Sequence, residues 1–377
     1  MNRDRNEPQS AEASQQDASR VPAAGAGMRR TWFFRIAMAM AAIVFSLLLL
    51  EGCFRLVSTL LSERSERDAL LGWRLTAHVA KKKNGLRSDG KAYPIEIVQR
   101  EHGFRLWEAP RTDRKRLLVI GDSFTEAVQV SNDKTYYALL QQHLGDKWQV
   151  FSYGMGGYGT LQEFLVMDRH WDEIRPDAII WQWCSNDFCN NLFAWENRSK
   201  ENYQIIPRPY LENGQIVLRC PNEVPLLSFH SRLYPWLWIR FYSRFHRPAK
   251  AEVDLPRADS PLFLQAVHVT SEILDLSRKR LAGIPVFVFV AGDDEPQKSA
   301  FRQLAQQHGF ILLEGVNEQL KKKEAEGVFV WAHATIGGHW SEEGHAVVAE
   351  SLHKQLEPYL EHGTALPGLQ GVSETPK

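Results

Sequence analysis

Hydrophobic and polar positions divide the chain into segments of different kinds. Residues 1–28 are polar throughout, and their only large apolar residues are Val21, Met1 and Met28. So little apolar surface cannot offset the entropy of ordering, so residues 1–30 are expected to be a disordered tail. The pattern then inverts. After Trp32-Phe33-Phe34-Arg35 no charge occurs until Glu51. A run from Thr31 to Leu50 has the length of a membrane-spanning helix, about 20 residues, provided Arg35 snorkels toward the interface. A buried core helix would carry a polar face, and Ile36–Leu50 offers only Ser46. A cleaved signal peptide needs a small-residue site, and Leu-Leu-Leu-Leu-Glu-Gly is a poor one. Leu50-Glu51-Gly52-Cys53 resembles a lipoprotein signal, with Glu51 out of place and Met28 as an alternative start. The expectation is an uncleaved transmembrane anchor over 31–55. Arg20, Arg29, Arg30 and Arg35 precede the span and Arg55, Arg64 and Arg67 follow it, which places the N-terminus in the cytoplasm.

Residues 56–112 read as a connector of helical and irregular pieces. From residue 113 a regular alternation begins. Arg116–Ile120 is a short apolar run ending in Gly121, 133–144 has helical spacing, and Trp148–Ser152 is a second strand candidate. Thr160-Leu-Gln-Glu163 reads as a capping box opening a helix that ends near Arg175-Pro176. Asp177–Trp183, Ile284–Val290 and Gly309–Leu313 are further strands, and 262–282 and 295–308 are helices. A last helix starts at Ser341, with Glu342 and Glu343 in its positive first turn. Strands buried on both faces and alternating with helices predict a parallel sheet in a three-layer α/β/α sandwich over 113–360. Right-handed crossovers bring the carboxyl ends of the strands to one edge, where ligands of such sheets bind. Residues 361–377 are expected to be a second disordered tail.

An insertion over 192–260 interrupts this alternation. Arg208–Arg219 reads as a hairpin turning at Asn213-Gly214. Phe229, Tyr234, Trp236, Trp238, Phe241, Tyr242 and Phe245 then crowd together with Arg232, Arg240, Arg244 and Arg247. The crowding fits an aromatic mini-core or a cap facing membrane or substrate.

Composition narrows the function classes. Lys plus Arg and Asp plus Glu each total 45 in 377 residues, so the net charge is zero, which speaks against a dedicated nucleic-acid binder. At 44% hydrophobic and 24% charged, the chain is not collagenous, disulfide-dense or wholly disordered. Its length allows two domains, and the segment pattern reduces these to one folded domain plus an anchor. Four cysteines make no disulfide framework. Cys53 falls at the membrane boundary, and Cys184, Cys189 and Cys220 leave one bridge open. Without a Cys-x-x-Cys or His-Glu-x-x-His pattern, no metal site is expected, and no cofactor.

The chemistry-bearing blocks sit where the topology wants them. Gly121-Asp122-Ser123-Phe124 follows the first strand and Gly154-Met155-Gly156-Gly157 the second. Cys184-Ser185-Asn186-Asp187 follows the third, and Gly338-His339-Trp340-Ser341 comes late in the chain. In order and placement these resemble the four blocks of the SGNH hydrolase (GDSL esterase/lipase) superfamily, over about 115–355. Leu71-Gly72-Trp73-Arg74 and His102-Gly103-Phe104-Arg105 are similar to the lead-in of its membrane-anchored bacterial members. The resemblance implies a Ser123 nucleophile, a His339 base, and an oxyanion hole made by Ser123 N–H, Gly157 N–H and the Asn186 amide. Acyl transfer needs those parts: a weak nucleophile requires a base, and the tetrahedral intermediate requires preorganised donors. No Gly-x-Ser-x-Gly elbow is present, which excludes the α/β-hydrolase alternative.

Two departures from the family pattern stand out. Cys184 replaces a glycine, and Ile336 and Gly337 occupy the place of the acid before the histidine. Such an acid fixes the histidine tautomer; Asp293, Asp294 or a backbone carbonyl are the candidates for that task. His333 and His345 are read as structural or surface residues. The expected function is hydrolysis of acyl or acetyl esters of lipid or carbohydrate by an enzyme on the periplasmic side of a bacterial inner membrane. The alternatives are an O-acyltransferase acting on a cell-surface polysaccharide or glycolipid, and a non-catalytic binding module.

Overall fold

A computed structural model of the protein describes residues 24–60, 64–86, 91–199, 206–220, 230–237, 240–241, 257–332 and 338–360. Most of both tails (1–23 and 361–377), His333, Ile336, Gly337, Phe229, Trp238, Tyr242, Phe245, Arg244 and Arg247 lie outside the described residues.

The chain opens with helix α1 (Ala24–Leu60). Its segment Thr31–Val57 is long and apolar enough to cross a membrane. The apolar side chains are exposed around the helix, Leu48 at 66% and Trp32 at 63%. The few polar groups are satisfied within it. Ser46 Oγ donates to the Ala42 carbonyl at 2.8 Å, and Arg55 pairs with Glu51 one turn away at 2.7 Å.

The segment 57–112 differs from the expected helical and irregular pieces, for it carries two antiparallel hairpins. Strand β1 (Ser65–Asp68) pairs with β2 (Gly72–Leu75), and β3 (Val79–Leu86) with β4 (Ala92–Gln99). The sandwich follows as β5 (Lys115–Gly121), α2 (Ser123–Glu126), α3 (Tyr136–Leu144), β6 (Trp148–Gly154), α4 (Thr160–Arg169), α5 (Trp171–Ile174), β7 (Ala178–Cys184), α6 (Asp187–Asn191) and α7 (Phe193–Glu196). Hairpin β8 (Arg208–Glu212) and β9 (Gln215–Arg219) comes next, followed by α8 (Leu233–Leu237) and α9 (Pro261–Arg280). Strand β10 (Val286–Ala291), α10 (Gln297–Gln307), β11 (Ile311–Leu312), α11 (Val316–Ala325) and α12 (Glu342–Leu360) complete it. In the β8–β9 turn Asn213 and Gly214 both take positive φ, 50° and 74°, the two-residue geometry that an Asn-Gly pair favours.

The five expected strands form one parallel sheet in the order β11-β10-β7-β5-β6. Alternation along each strand feeds two cores. Leu118, Ile120, Phe151, Ile179, Trp181 and Val288 face one layer, packed with residues of α4, α9 and α10. Leu117, Val119, Val150, Ile180, Phe287 and Phe289 face the other, with α3, α11 and α12. The strand order reverses between β5 and β7, and the crevice at such a reversal is where doubly wound sheets bind ligands. The outer edge of β6 is covered by the lead-in segment: Arg105 N–H donates to the Ser152 carbonyl and Ser152 N–H to the Leu106 carbonyl, both at 3.0 Å. A covered edge no longer templates pairing with another chain.

Two local expectations are corrected. The capping box at Thr160 does not form. Gly159 is the N-cap, Thr160 Oγ1 accepts from Asn191 Nδ2 at 3.0 Å, and Glu163 is drawn beneath the sheet by Trp181 Nε1 at 2.7 Å. The helix expected to run to Arg175 breaks at His170, and α5 is a separate turn. All four cysteines are free thiols.

His345 is wholly buried on α12, and its Nδ1 accepts the Tyr136 N–H at 3.3 Å. Burial first, then the charges of Arg105 and His339, push it down to about 3. A histidine depressed in the folded state stabilises the fold above the unfolded pKa near 6.5 and loses that contribution as pH falls toward 3. Wild-type unfolding free energy is therefore expected to drop more steeply between pH 6.5 and 4 than that of His345→Gln, by up to about 1.4 kcal/mol per pH unit. Parallel curves for the two proteins would remove His345 as the cause.

Candidate active site

Strand β5 ends at Gly121, and the chain turns at once into α2. The turn is tight enough that a Cβ on Gly121 would collide with the Gln182 and Thr125 side chains, and one on Gly154 with the Glu126 backbone. Asp122 caps α2 by accepting the Phe124 N–H at 3.0 Å. This sets Ser123 on the first turn, at the carboxyl edge of the sheet. Thr125 Oγ1 bonds to Gln182 Oε1 on β7 and to Tyr136 Oη, each at 2.8 Å, and so pins α2 to its neighbours.

His339 arrives from the far end of the chain. Gly338 takes φ 64°, a bridge pairs Trp331 with Trp340, and Ala332 N–H donates to the His339 carbonyl at 2.7 Å. Ser341 caps α12 through Gly344 N–H at 3.1 Å. Buried Trp340 stacks on Phe289, while Phe124 packs beside the imidazole. The result is a His339 Nε2 to Ser123 Oγ distance of 2.6 Å. The two residues lie 216 positions apart in sequence.

Gly157 sits in the loop after β6 with φ 77°, a conformation that suits glycine. Asn186 opens α6 after β7 and donates through Nδ2 to Asn190 Oδ1 at 2.8 Å. Cys184, at the glycine position, is buried, and burial holds its thiol well above the ordinary range. Its N–H donates to Asp187 Oδ2 at 3.2 Å. The two candidate acids have other partners. Asp293 forms ion pairs with Lys298 and Lys321, which hold its carboxyl below the usual range despite partial burial. Asp294 accepts from Ser185 Oγ at 2.7 Å. Asp122 is wholly buried, and that burial raises its carboxyl against the opposing pull of the Phe124 N–H and the His339 charge.

A supporting layer went unassigned in the sequence reading. Glu126 joins the nucleophile turn to the Gly157 loop: its Oε2 accepts Gly156 N–H at 2.7 Å, and Arg64 pairs with Oε1 at 2.9 Å. Tyr158 Oη donates to the Trp73 carbonyl, and Gln162 Nε2 to that of Leu71 at 2.7 Å. Buried Arg105 donates to the carbonyls of Glu126, Ala127 and Val130 and to Asn132 Oδ1. The signal available was the pair of lead-in blocks Leu71–Arg74 and His102–Arg105, which the fold brings against the nucleophile turn and its neighbouring loop.

A model of the GDSL-like Lipase/Acylhydrolase family matches residues 117–352. No match is found among curated proteins. Among solved structures the chain is similar to TesA at 15% identity, with 65% of this chain and 99% of that one covered and a TM-score of 0.38. A lipase/acylhydrolase from Enterococcus faecalis matches at 12% identity, with coverage of 64% and 95% and a TM-score of 0.35. A catalytic mutant of Axe2, an acetylxylan esterase from Geobacillus stearothermophilus, matches at 13%, with 64% and 94% covered and a TM-score of 0.33.

Proposed function

The chain belongs to the GDSL-like lipase/acylhydrolase family, and from that premise we propose that it is a membrane-anchored serine esterase acting on acyl or acetyl esters of lipid or glycan. The observation that carries this reading is the 2.6 Å contact between Ser123 Oγ and His339 Nε2 at the carboxyl edge of the sheet. Ser123 Oγ attacks the ester carbonyl carbon while His339 Nε2 takes its proton. The C–O bond to the alcohol then breaks as His339 returns that proton to the leaving oxygen. Water, deprotonated by His339, attacks the acyl-enzyme, and the carboxylic acid departs with Ser123 regenerated.

The oxyanion is met by Ser123 N–H, Gly157 N–H and Asn186 Nδ2. The Asn186 amide carries two hydrogens, so the one given to Asn190 leaves a second for substrate. Each such donor is worth about 3–4 kcal/mol of barrier. Asp293 is held by two lysines, so Asp294 or a backbone carbonyl remains the candidate for orienting the imidazole. The test of hydrolysis is release of free acetate from an acetylated oligosaccharide, dependent on Ser123. Acetate recovered on a second glycan instead would assign the site to O-acyl transfer.

Helix α1 supports membrane attachment, with the arginines before its apolar run on the cytoplasmic side and residues 113–360 outside the inner membrane. Alkaline phosphatase fused at the C-terminus is expected to be active. Activity of a cytoplasmic reporter there would reverse the orientation.

A further inference from the structure

The opposite edge of the sheet carries a second cluster of reactive side chains. Helix α4 leaves the carboxyl edge at Thr160, and α5 ends at Ile174 just before β7 begins. The junction between them therefore lies near the amino ends of the strands, away from Ser123. Here His170 and Glu173 stand one helical turn apart, and His102 joins them from the lead-in turn after β4. His102 Nε2 is 3.1 Å from Glu173 Oε2, and His170 Nδ1 is 3.9 Å from the same oxygen. One ligand atom from each of the three lies within 4.8 Å of the others. Zinc bonds of 2.0–2.1 Å in a tetrahedron put ligand atoms about 3.3 Å apart, so the three atoms need only small adjustments to share one ion.

The surroundings fit such a use. The His102 and His170 rings lie 4.7 Å apart. Trp107 packs edge-on to His102 at 4.9 Å and Phe104 edge-on to His170 at 5.3 Å, so an apolar wall backs the cluster. Glu173 and Trp107 also line a depression of about 580 Å³ together with Arg100 and Glu101. His102 holds φ at 55°, a conformation uncommon for a residue with a Cβ. Spacing in the sequence gives no hint of the set, because 71 positions separate His102 from Glu173.

We propose that His102, His170 and Glu173 bind one Zn²⁺ ion, completed by water, which pins the lead-in segment to the base of the sandwich. Two imidazoles and a carboxylate are a borderline donor set suited to zinc. The site's position at the opposite edge from Ser123 makes it a structural clasp, separate from ester chemistry.

The test uses the full chain in detergent, stripped with chelator and titrated with Zn²⁺ against a chromogenic competitor. The expected result is one Zn²⁺ per chain and a higher melting temperature with zinc than without. His102→Ala and Glu173→Ala, at accessible positions, are each expected to weaken binding by roughly 100-fold or more. Ester hydrolysis by metal-free Glu173→Ala protein should match that of metal-free wild type. Co²⁺ in place of zinc should give visible bands in wild type alone. Absence of stoichiometric binding by wild type would overturn the proposal. So would binding that survives unchanged in both variants, or a melting temperature that falls in the variants with no dependence on zinc. The last outcome would leave only a histidine–glutamate hydrogen bond.

Discussion

Ser123→Ala is expected to lower kcat for aryl acetate hydrolysis by about 10⁴- to 10⁶-fold and to abolish labelling by a fluorophosphonate. The size follows from what is removed. The acyl-enzyme path needs an oxygen nucleophile within reach of a base, and Ser123 Oγ at 2.6 Å from His339 Nε2 is that oxygen. His339→Ala should cost a similar factor, and the double variant little more, because a nucleophile and its base act as a unit. Loss of fold cannot mimic the result. Among the described residues Ser123 Oγ has one other close partner, Asp122 Oδ2 at a long 3.4 Å, while the cap from Asp122 to Phe124 N–H does not involve the serine side chain. The melting temperature should therefore stay near that of wild type. Undiminished labelling of Ser123→Ala would overturn the assignment of the nucleophile.

Why some of this was legible in the sequence and some was not follows from where each signal resides. Four of the five sheet strands announce themselves because both faces are buried, so a run such as Ala178–Cys184 is apolar almost throughout. The four blocks then fall at the ends of those runs, where a parallel sheet gathers its chemistry. The connector hid its strands for the opposite reason. In β3 only Val79 is buried, and three consecutive lysines give no apolar alternation. In β4 the buried Ile95, Ile97 and Gln99 do alternate, but Pro94 argues against a strand interior. Thr160 and Glu163 have the spacing of a capping box, yet tertiary partners took both side chains. Helix α11 has only Val316, Asn317 and Leu320 buried, too little for its period to register. The layer that holds the site is built from contacts between residues far apart in sequence, and no local pattern encodes those.

Arg105→Ala should therefore expose a dependence that the four blocks conceal, with a loss of about 3–5 kcal/mol of stability. Arg105 is buried, and its guanidinium gathers the chain leaving the nucleophile helix. Nη1 reaches the carbonyls of Glu126 at 2.6 Å and Ala127 at 2.8 Å, Nη2 that of Val130 at 3.0 Å, and Nε the Asn132 side chain at 3.0 Å. Ala127 sits at φ 51°, a left-handed turn that those bonds hold in place. Truncation takes the arginine from the buried carbonyls of Glu126 and Val130, each costing about 1–3 kcal/mol if water does not reach it, leaves that of Ala127 with the Val130 N–H at 3.3 Å, and opens an empty volume beside them. It also strips a nearby positive charge from buried Glu126, whose carboxyl burial already raises against the pull of Arg64 and Arg105. Glu126 is the acceptor for Gly156 N–H, so the disturbance passes to Gly157. A shift of about 1 Å in a catalytic group costs on the order of 10²-fold in rate, and kcat of the still-folded protein should fall by that order with KM less affected. Arg105→Lys should rescue little, since one ammonium cannot span four acceptors laid out for a planar fork. The measurement is a denaturant midpoint together with kcat, taken where circular dichroism shows the variant folded. A folded Arg105→Ala protein with wild-type kcat would mean that the turn holds Ser123 without the arginine.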